Sequence, residues 1–431
     1  MLGAGSGLAT RIMASDERQA LEDLLYRRQF VLGPSCLPQV AAWPRLQIAG
    51  RICVIAHPDL NAQQVTRQEI SLTLLGFLID PYEPQSSNAA ILDRLLHAIE
   101  RPFNFGRWVS HTESLGGRWI LIVHDGRTTT LFTDPMGLRQ VFYTDRSLTG
   151  GVWCATQPGL VADALGLGMD PVAISQFLMS EPVRRWQEFL WPADTCSYRE
   201  FRRLLPNRSL DLDTGECTRF WPTGPLEHRS LQEGVEATIE LLPKLLLACS
   251  VRFKLAHAVS AGWDSRLLLA ASKEVCRDVW YYTYARKGAD ADVTVIPRLL
   301  ERLGLTDHLL PLPDRGDKAF ADLFRRHVSL SRPFCGRFIQ ALLDSCPQDR
   351  VCIAGNAAEI TRVRFRRHPA SKSLARSGAT NSCPSRPGIN YRRFHSWIRR
   401  GSGGLPTLGR RTTLIRLTSS TGTTGRGTSP A

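Results

Sequence analysis

The segment Ser260-Ala261-Gly262-Trp263-Asp264-Ser265 constrains this chain more than any other stretch. It follows an apolar run, residues 255–259, whose length fits a short buried strand. It precedes Arg266-Leu267-Leu268-Leu269-Ala270-Ala271, which reads as the start of a helix. A strand, a loop of small residues and a helix N-terminus together make an anion site. The first helical turn leaves N–H groups without intrahelical partners, and the helix dipole favours negative charge there. Ser260 and Ser265 add hydroxyl donors, and Gly262 lets the backbone come close to a phosphate. Asp264 would repel a bare phosphate, so its presence implies a Mg²⁺ between them. The loop is therefore expected to take a polyphosphate with its metal, most simply ATP. Taken alone, the same stretch also fits a serine-capped helix after a strand.

Three further segments bear on the choice. Residues 116–126 read as a strand and turn, and 128–133 as the return strand of a hairpin, with Asp125-Gly126 as its turn. Asp134-Pro135-Met136-Gly137-Leu138-Arg139-Gln140-Val141-Phe142-Tyr143 follows. Later come Leu205-Pro206-Asn207-Arg208-Ser209-Leu210 and Arg219-Phe220-Trp221-Pro222. These segments, in this order, resemble the asparagine synthetase family. The hexapeptide is similar to its S-G-G-x-D-S pyrophosphate loop, with Ala261 where the family has its first glycine. It differs from a Walker A loop, which needs a lysine. The segment at 134–143 resembles R-D-P-x-G-x-R-P-L-Y-Y of the glutaminase-type domain, and 205–222 resembles that domain's end. The resemblance covers roughly residues 70–362.

The resemblance implies a fold of two kinds, α+β and then α/β. Residues 1–225 would form a degenerate glutaminase-like domain, an amidohydrolase-like (Ntn-type) sandwich. Residues 230–362 would form a doubly wound, parallel-sheet ATP-pyrophosphatase domain, truncated at its end. The implied chemistry activates a carboxylate with ATP, releases pyrophosphate and lets an amine attack. Ser260, Ala261, Gly262, Asp264 and Ser265 would then bind pyrophosphate, with Asp264 on Mg²⁺. Tyr284 would lie in the adenosine-contacting loop, while a plain strand end is an equal reading of it. Gly355-Asn356-Ala357-Ala358-Glu359-Ile360 is similar to the family's G-x-G-x-D-E segment. Only one of its two carboxylates survives, which makes Glu359 the second metal ligand and the catalytic carboxylate. Asp292 resembles the aspartate of an S-x-D helix start and is expected to cap that helix. A glutamine-hydrolysing member needs cysteine directly after the initiator Met, because its α-amine acts as the base beside the thiol. Position 2 here is Leu, so no glutaminase activity is expected, and Asp134 and Arg139 are expected to be structural.

Patterning supplies the intervening elements. Residues 46–56 and 71–78 suggest strands, and 87–99 a helix capped by Ser87 or Asn88. A helix over 171–178 would start at Asp170, and a polar linker spans 222–229. Beyond it the pattern gives a helix at 231–248, a strand at 279–284 and a helix at 292–304. Strands at 309–310 and 351–354 complete the series. Strands alternating with helices imply a parallel sheet with ligand at the carboxyl ends of its strands.

The net charge of +14 suggests nucleic acid, but its distribution does not. No Asp or Glu follows Glu359, while fourteen Arg and Lys372 do, so the body of the chain is close to neutral. Residues 363–431, rich in Arg, Ser, Thr, Gly and Pro, have too little apolar pattern to offset their ordering entropy and are expected to be disordered. They read as a basic arm for nucleic acid or an acidic partner, as an inert extension, or as out-of-frame translation of a lost domain end. The abrupt loss of acidic residues favours the last. The 11 cysteines form no C-x-x-C pair and are expected to be free thiols in a reducing compartment. No apolar stretch is long enough to span a bilayer, so the expected location is cytoplasmic. Small-molecule carboxylate and amine substrates are the expected partners. Three functions stay open: an amide ligase, a β-lactam- or peptide-ring-forming relative, and a non-catalytic, truncated nucleotide-binding protein with a basic arm.

Overall fold

The computed structural model describes residues 23–355, apart from 187–188, 227, 287, 289, 314–315, 329–330 and 348. The first half is built on strands whose two faces are both apolar. In β5 (Ile70–Ile79) and β6 (Gly116–His124), neighbouring residues point into different cores. Leu75, Ile120 and Ile122 enter one core, while Leu72, Leu74, Trp119 and Leu121 enter another. A strand buried on both faces must read as a continuous apolar run, and these do.

That geometry requires four layers. One antiparallel sheet has β4 (Ala62–Arg67), β5, β6, β7 (Thr129–Thr133), β11 (Arg208–Asp211) and β12 (Cys217–Arg219) side by side. The other antiparallel sheet runs β2 (Arg45–Ile48), β3 (Ile52–Ala56), β1 (Phe30–Gly33), β9 (Cys154–Ala155), β8 (Phe142–Thr144) and β10 (Phe201–Arg203). Their inner faces share a core containing Phe30, Leu32, Val54, Leu75, Ile122 and Leu210. Helix α1 (Asn88–His97) covers the outer face of the β5–β6 sheet with Ile91, Leu92, Leu95 and Leu96. Ser87 caps it, its hydroxyl accepting the Ala90 N–H at 3.2 Å. Helix α2 (Pro158–Leu165) covers the other sheet with Leu160, Val161 and Ala162. Helix α3 (Pro171–Leu178) begins as expected at Asp170, whose carboxylate accepts N–H bonds from Val172 and Ala173.

Two expectations are corrected here. The stretch 46–56 is a hairpin, not one strand, because Ala49 and Gly50 both take positive φ (51° and 67°) and turn β2 into β3. Cys36 and Cys53 are disulfide-bonded, so the reading of all cysteines as free thiols fails at this pair. Cys154, Cys196, Cys217, Cys249, Cys276, Cys335, Cys346 and Cys352 are in no disulfide. The bridge ties the segment after β1 to β3. Its reduction is expected to lower the unfolding free energy by about 2 kcal/mol. Denaturant midpoints with and without reductant check this; equal midpoints would show that the bridge contributes nothing.

The second half is a parallel sheet in the order β15-β14-β13-β16. Its strands are β13 (Lys254–Ala258), β14 (Trp280–Ala285), β15 (Asp307–Pro311) and β16 (Arg350–Ile353). Helix α4 (Leu231–Arg252) leads into β13 and starts at a capping box of Ser230 and Glu233. Helices α5 (Trp263–Ala271) and α6 (Asp290–Arg302) make the first two crossovers. Helices α7 (Lys318–Val328) and α8 (Gly336–Ser345) fill the third. One face buries Leu255, Tyr281, Leu269, Ile296 and Leu300; the other buries Ala256, Trp280, Tyr282 and Leu310, with Leu342 of α8 against them. Helices thus cover both faces, as a doubly wound sheet requires.

The two halves touch at specific points. The Arg252 guanidinium reaches the Leu78 carbonyl and Asn88, and the Phe77 and Phe253 rings lie 4.8 Å apart. His327 of α7 lies 3.1 Å from the Gln29 amide, just before β1. Among the described residues, no helix is long and apolar enough to cross a membrane.

Candidate functional site

The strand order places a topological switch point at β13. The chain leaves β13 toward β14 on one side and returns as β16 on the other. Open α/β sheets take ligands at such a point, beyond the carboxyl ends of the strands. Ser260–Ser265 lies there, directly after β13.

The loop is short and internally braced. The Ser260 N–H donates to the Ser265 hydroxyl at 3.0 Å, and the two serine hydroxyls are 3.0 Å apart. The Gly262 N–H points to the Ser260 hydroxyl at 3.3 Å. Both serines therefore engage each other in this arrangement. The Ala261 N–H donates to Asp292 Oδ1 of α6 at 2.7 Å. Asp292 lies inside the first turn of α6 and reaches another element. Ala261 is not among the residues with positive φ, so an alanine in place of glycine carries no backbone strain there.

Helix α5 begins at Trp263, three residues before the expected start, with Gly262 as its N-cap and no side-chain capping bond. Glycine at the cap leaves the first-turn amides facing outward without a side chain over them. Asp264 sits in that turn. Trp263 is 76% exposed, with the Arg266 guanidinium 4.8 Å from its ring centre. Arg266 Nε also donates to the Gly262 carbonyl at 3.2 Å.

The far wall of the site is Gly355, just past β16. A Cβ built on it would lie 2.6 Å from Asp264 C and from Ser265 N. The exit of β16 is thus pressed onto the first turn of α5. This contact brings together Ser260, Ala261, Gly262, Asp264, Ser265 and Gly355, which the sequence placed in one site. Glu359 lies outside the described residues. Among the described residues no group of three or more His, Cys, Asp and Glu could hold a metal ion. Asp264 is then the described carboxylate at the loop's helical end. That donor set fits a Mg²⁺ taking most of its ligands from phosphate oxygens and water.

Tyr284 is not turned into the site by its side chain. Its hydroxyl donates to the Phe338 carbonyl at 3.2 Å and its ring packs on Phe338 and Tyr282. Burial pushes its phenol well above the usual tyrosine range. The strand-end reading of Tyr284 therefore describes its side chain.

The sandwich half carries the other notable polar group. Buried Asp134 accepts N–H bonds from Met136, Leu138 and Arg139 and so shapes the 134–139 turn. Burial raises its pKa even against those donors. The Arg139 guanidinium donates to the Arg28 carbonyl at 3.0 Å, and burial brings its pKa down to about 9. These hydrogen bonds go to backbone, in keeping with the structural role expected of both.

No family model and no curated protein matches the chain. Among solved structures it is similar to a glutamine phosphoribosylpyrophosphate amidotransferase from B. subtilis complexed with ADP and GMP. That pair shares 10% identity over 68% of this chain and 62% of that one, with a TM-score of 0.29. The chain thus spans less than two thirds of that structure's length. A second similar structure is described as the allosteric regulatory enzyme of purine biosynthesis. It is 10% identical over 77% of this chain and 75% of that one, with a TM-score of 0.28. At these scores the likeness carries no argument about site or substrate.

Proposed function

We propose that this chain is an ATP-dependent ligase of the asparagine synthetase kind. It would adenylate a carboxylate, release pyrophosphate and pass the acyl group to an amine not cut from glutamine by its own first half. The observation that supports this best is the placement of the Ser260–Ser265 loop. It joins β13 to an α5 without a side-chain cap, at the switch point of the parallel sheet, with Gly355 pressed against it.

ATP would supply the leaving group that makes a carboxylate reactive. The chain's own part is electrostatic. The α5 first-turn amides and helix dipole favour the negative charge that gathers on a departing pyrophosphate. Asp264 would hold Mg²⁺ together with phosphate oxygens. Glu359 remains the proposed second carboxylate. Ammonia or another amine is the proposed nucleophile, since the buried Asp134 and Arg139 of the first half are spent on backbone hydrogen bonds. The same feature favours the second reading, a relative that closes a β-lactam or peptide ring with an amine of its own substrate. A cytoplasmic location is proposed with it, as is nucleic-acid contact only through residues 363–431.

Exchange of labelled pyrophosphate into ATP, run with a panel of carboxylic acids and Mg²⁺, tests the reading. Exchange that depends on one class of acid, and that glutamine does not stimulate, is the expected result. MgATP binding without exchange would leave only a nucleotide-binding protein. Absence of both would overturn the reading.

A further inference from the structure

Asp292 is far from the loop in sequence and touches it in space, across 31 residues. Three amides precede α5 in the loop. Ser260 and Gly262 find their acceptors within the loop itself, in the hydroxyls of Ser265 and Ser260. Of these three, only Ala261 takes its acceptor from another element. Its partner stands on α6, the helix that follows β14, so this one bond ties the β13–α5 connection to the β14–α6 connection. Those two connections flank the space in which a ligand at the carboxyl ends of β13 and β14 would lie.

The bond matters for what the loop can present. A peptide plane between a strand and a helix N-terminus has few constraints besides its hydrogen bonds. Holding the Ala261 N–H fixes the direction of the Ser260–Ala261 peptide, and so the path by which the chain enters α5. A part-buried amide left without its acceptor would turn toward water or another partner, and the first-turn amides would turn with it.

We propose that Asp292 is a positioning residue of the polyphosphate loop. Its carboxylate oxygen fixes the Ala261 peptide and sets the spacing of the two strand-end connections, without touching phosphate or metal. The role of that oxygen in binding MgATP rests on the ligase reading above; its role in holding the loop does not. An acceptor is all the role requires, so an amide oxygen should serve in place of the carboxylate.

Asp292→Ala and Asp292→Asn test this in the full chain, with two readouts. One is MgATP affinity by calorimetry; the other is hydrogen exchange at the Ala261 amide. Asp292→Ala is expected to weaken MgATP about tenfold and to speed Ala261 exchange by a similar factor. Asp292→Asn should stay within about threefold of the parent in both, since its Oδ1 can accept the same bond. If Asp292→Asn binds as poorly as Asp292→Ala while Ala261 stays protected, the carboxylate charge acts on ligand or metal and the positioning role is wrong. Unchanged exchange in Asp292→Ala also overturns it. If the parent binds no MgATP, the ligase reading fails, while the exchange comparison still decides what Asp292 does.

Discussion

Gly355→Ala is expected to weaken MgATP binding at the Ser260–Ser265 loop by at least about tenfold, the equivalent of overpacking by roughly 1–3 kcal/mol. The added methyl would lie 2.6 Å from two backbone atoms of the first turn of α5 and 2.8 Å from Asp264 Cβ. Backbone cannot swing aside as a side-chain tip can. Either the exit of β16 retreats or the start of α5 shifts, and in both cases the wall of the site moves away from Asp264. The cost is purely steric, since Gly355 is not in the left-handed region. Gly234→Ala on α4 is the matching control. Nothing beyond its own helix lies within 4 Å of a methyl there, and its φ is not in the left-handed region. That variant should bind within about threefold of the parent. Titration of both variants with MgATP, alongside thermal melts to confirm folding, gives the answer. Parent-like binding by a folded Gly355→Ala would mean that the β16 exit is not part of the site.

That contrast also shows which parts of the site the sequence could reveal. The loop was legible because everything that defines it is local: an apolar strand, small residues and a helix start within about one helical turn of each other. The caps at Ser87 and Asp170 were legible for the same reason. The Gly355 contact was visible only as a motif, since its cause is the return of the chain to β13 some ninety residues later. The Ala261–Asp292 bond joins two elements and leaves no local trace, so Asp292 read as an ordinary cap. The β2–β3 hairpin was missed because Ala49-Gly50 lacks the Asn-Gly or Asp-Gly signature, although it uses the same left-handed turn. Tyr284 was ambiguous because a strand's end gives its register but not which way the last ring turns. The pairing of Cys36 with Cys53 depends on β3 lying beside β1, with Gly33 opposite Cys53, which spacing alone does not fix.

Acid should destabilise this fold steeply through two histidines, one on β13 and one on α7. His257, in the middle of β13, is fully buried, and neither ring nitrogen has a hydrogen-bond partner among the described residues. The Tyr281 ring is beside it, with centroids 5.7 Å apart. His327 of α7 is held against the sandwich, where its Nδ1 accepts the Tyr26 N–H at 3.3 Å. Burial pulls both down from 6.5 to about 4, and the Arg118 charge adds to the effect at His327. The sign follows from which state binds protons first. The unfolded chain takes them up near pH 6.5, while the folded chain resists until near pH 4. Stability is therefore complete above pH 6.5, drains as pH falls toward 4, and stops falling from this cause below it. For His257 the loss amounts to about 3 kcal/mol, and the His327 contact adds to it because a protonated Nδ1 can no longer accept from Tyr26. Denaturant midpoints at about pH 7.5 and about pH 4.5 should differ accordingly. His257→Leu conserves most of the buried volume and removes two unpartnered nitrogens, so it should match or exceed the parent at neutral pH and lose markedly less in acid. A His257→Leu protein with the parent's full acid slope would place the lost stability elsewhere, at His327 or among the carboxylates, and would mean that His257 does not resist protonation in the fold.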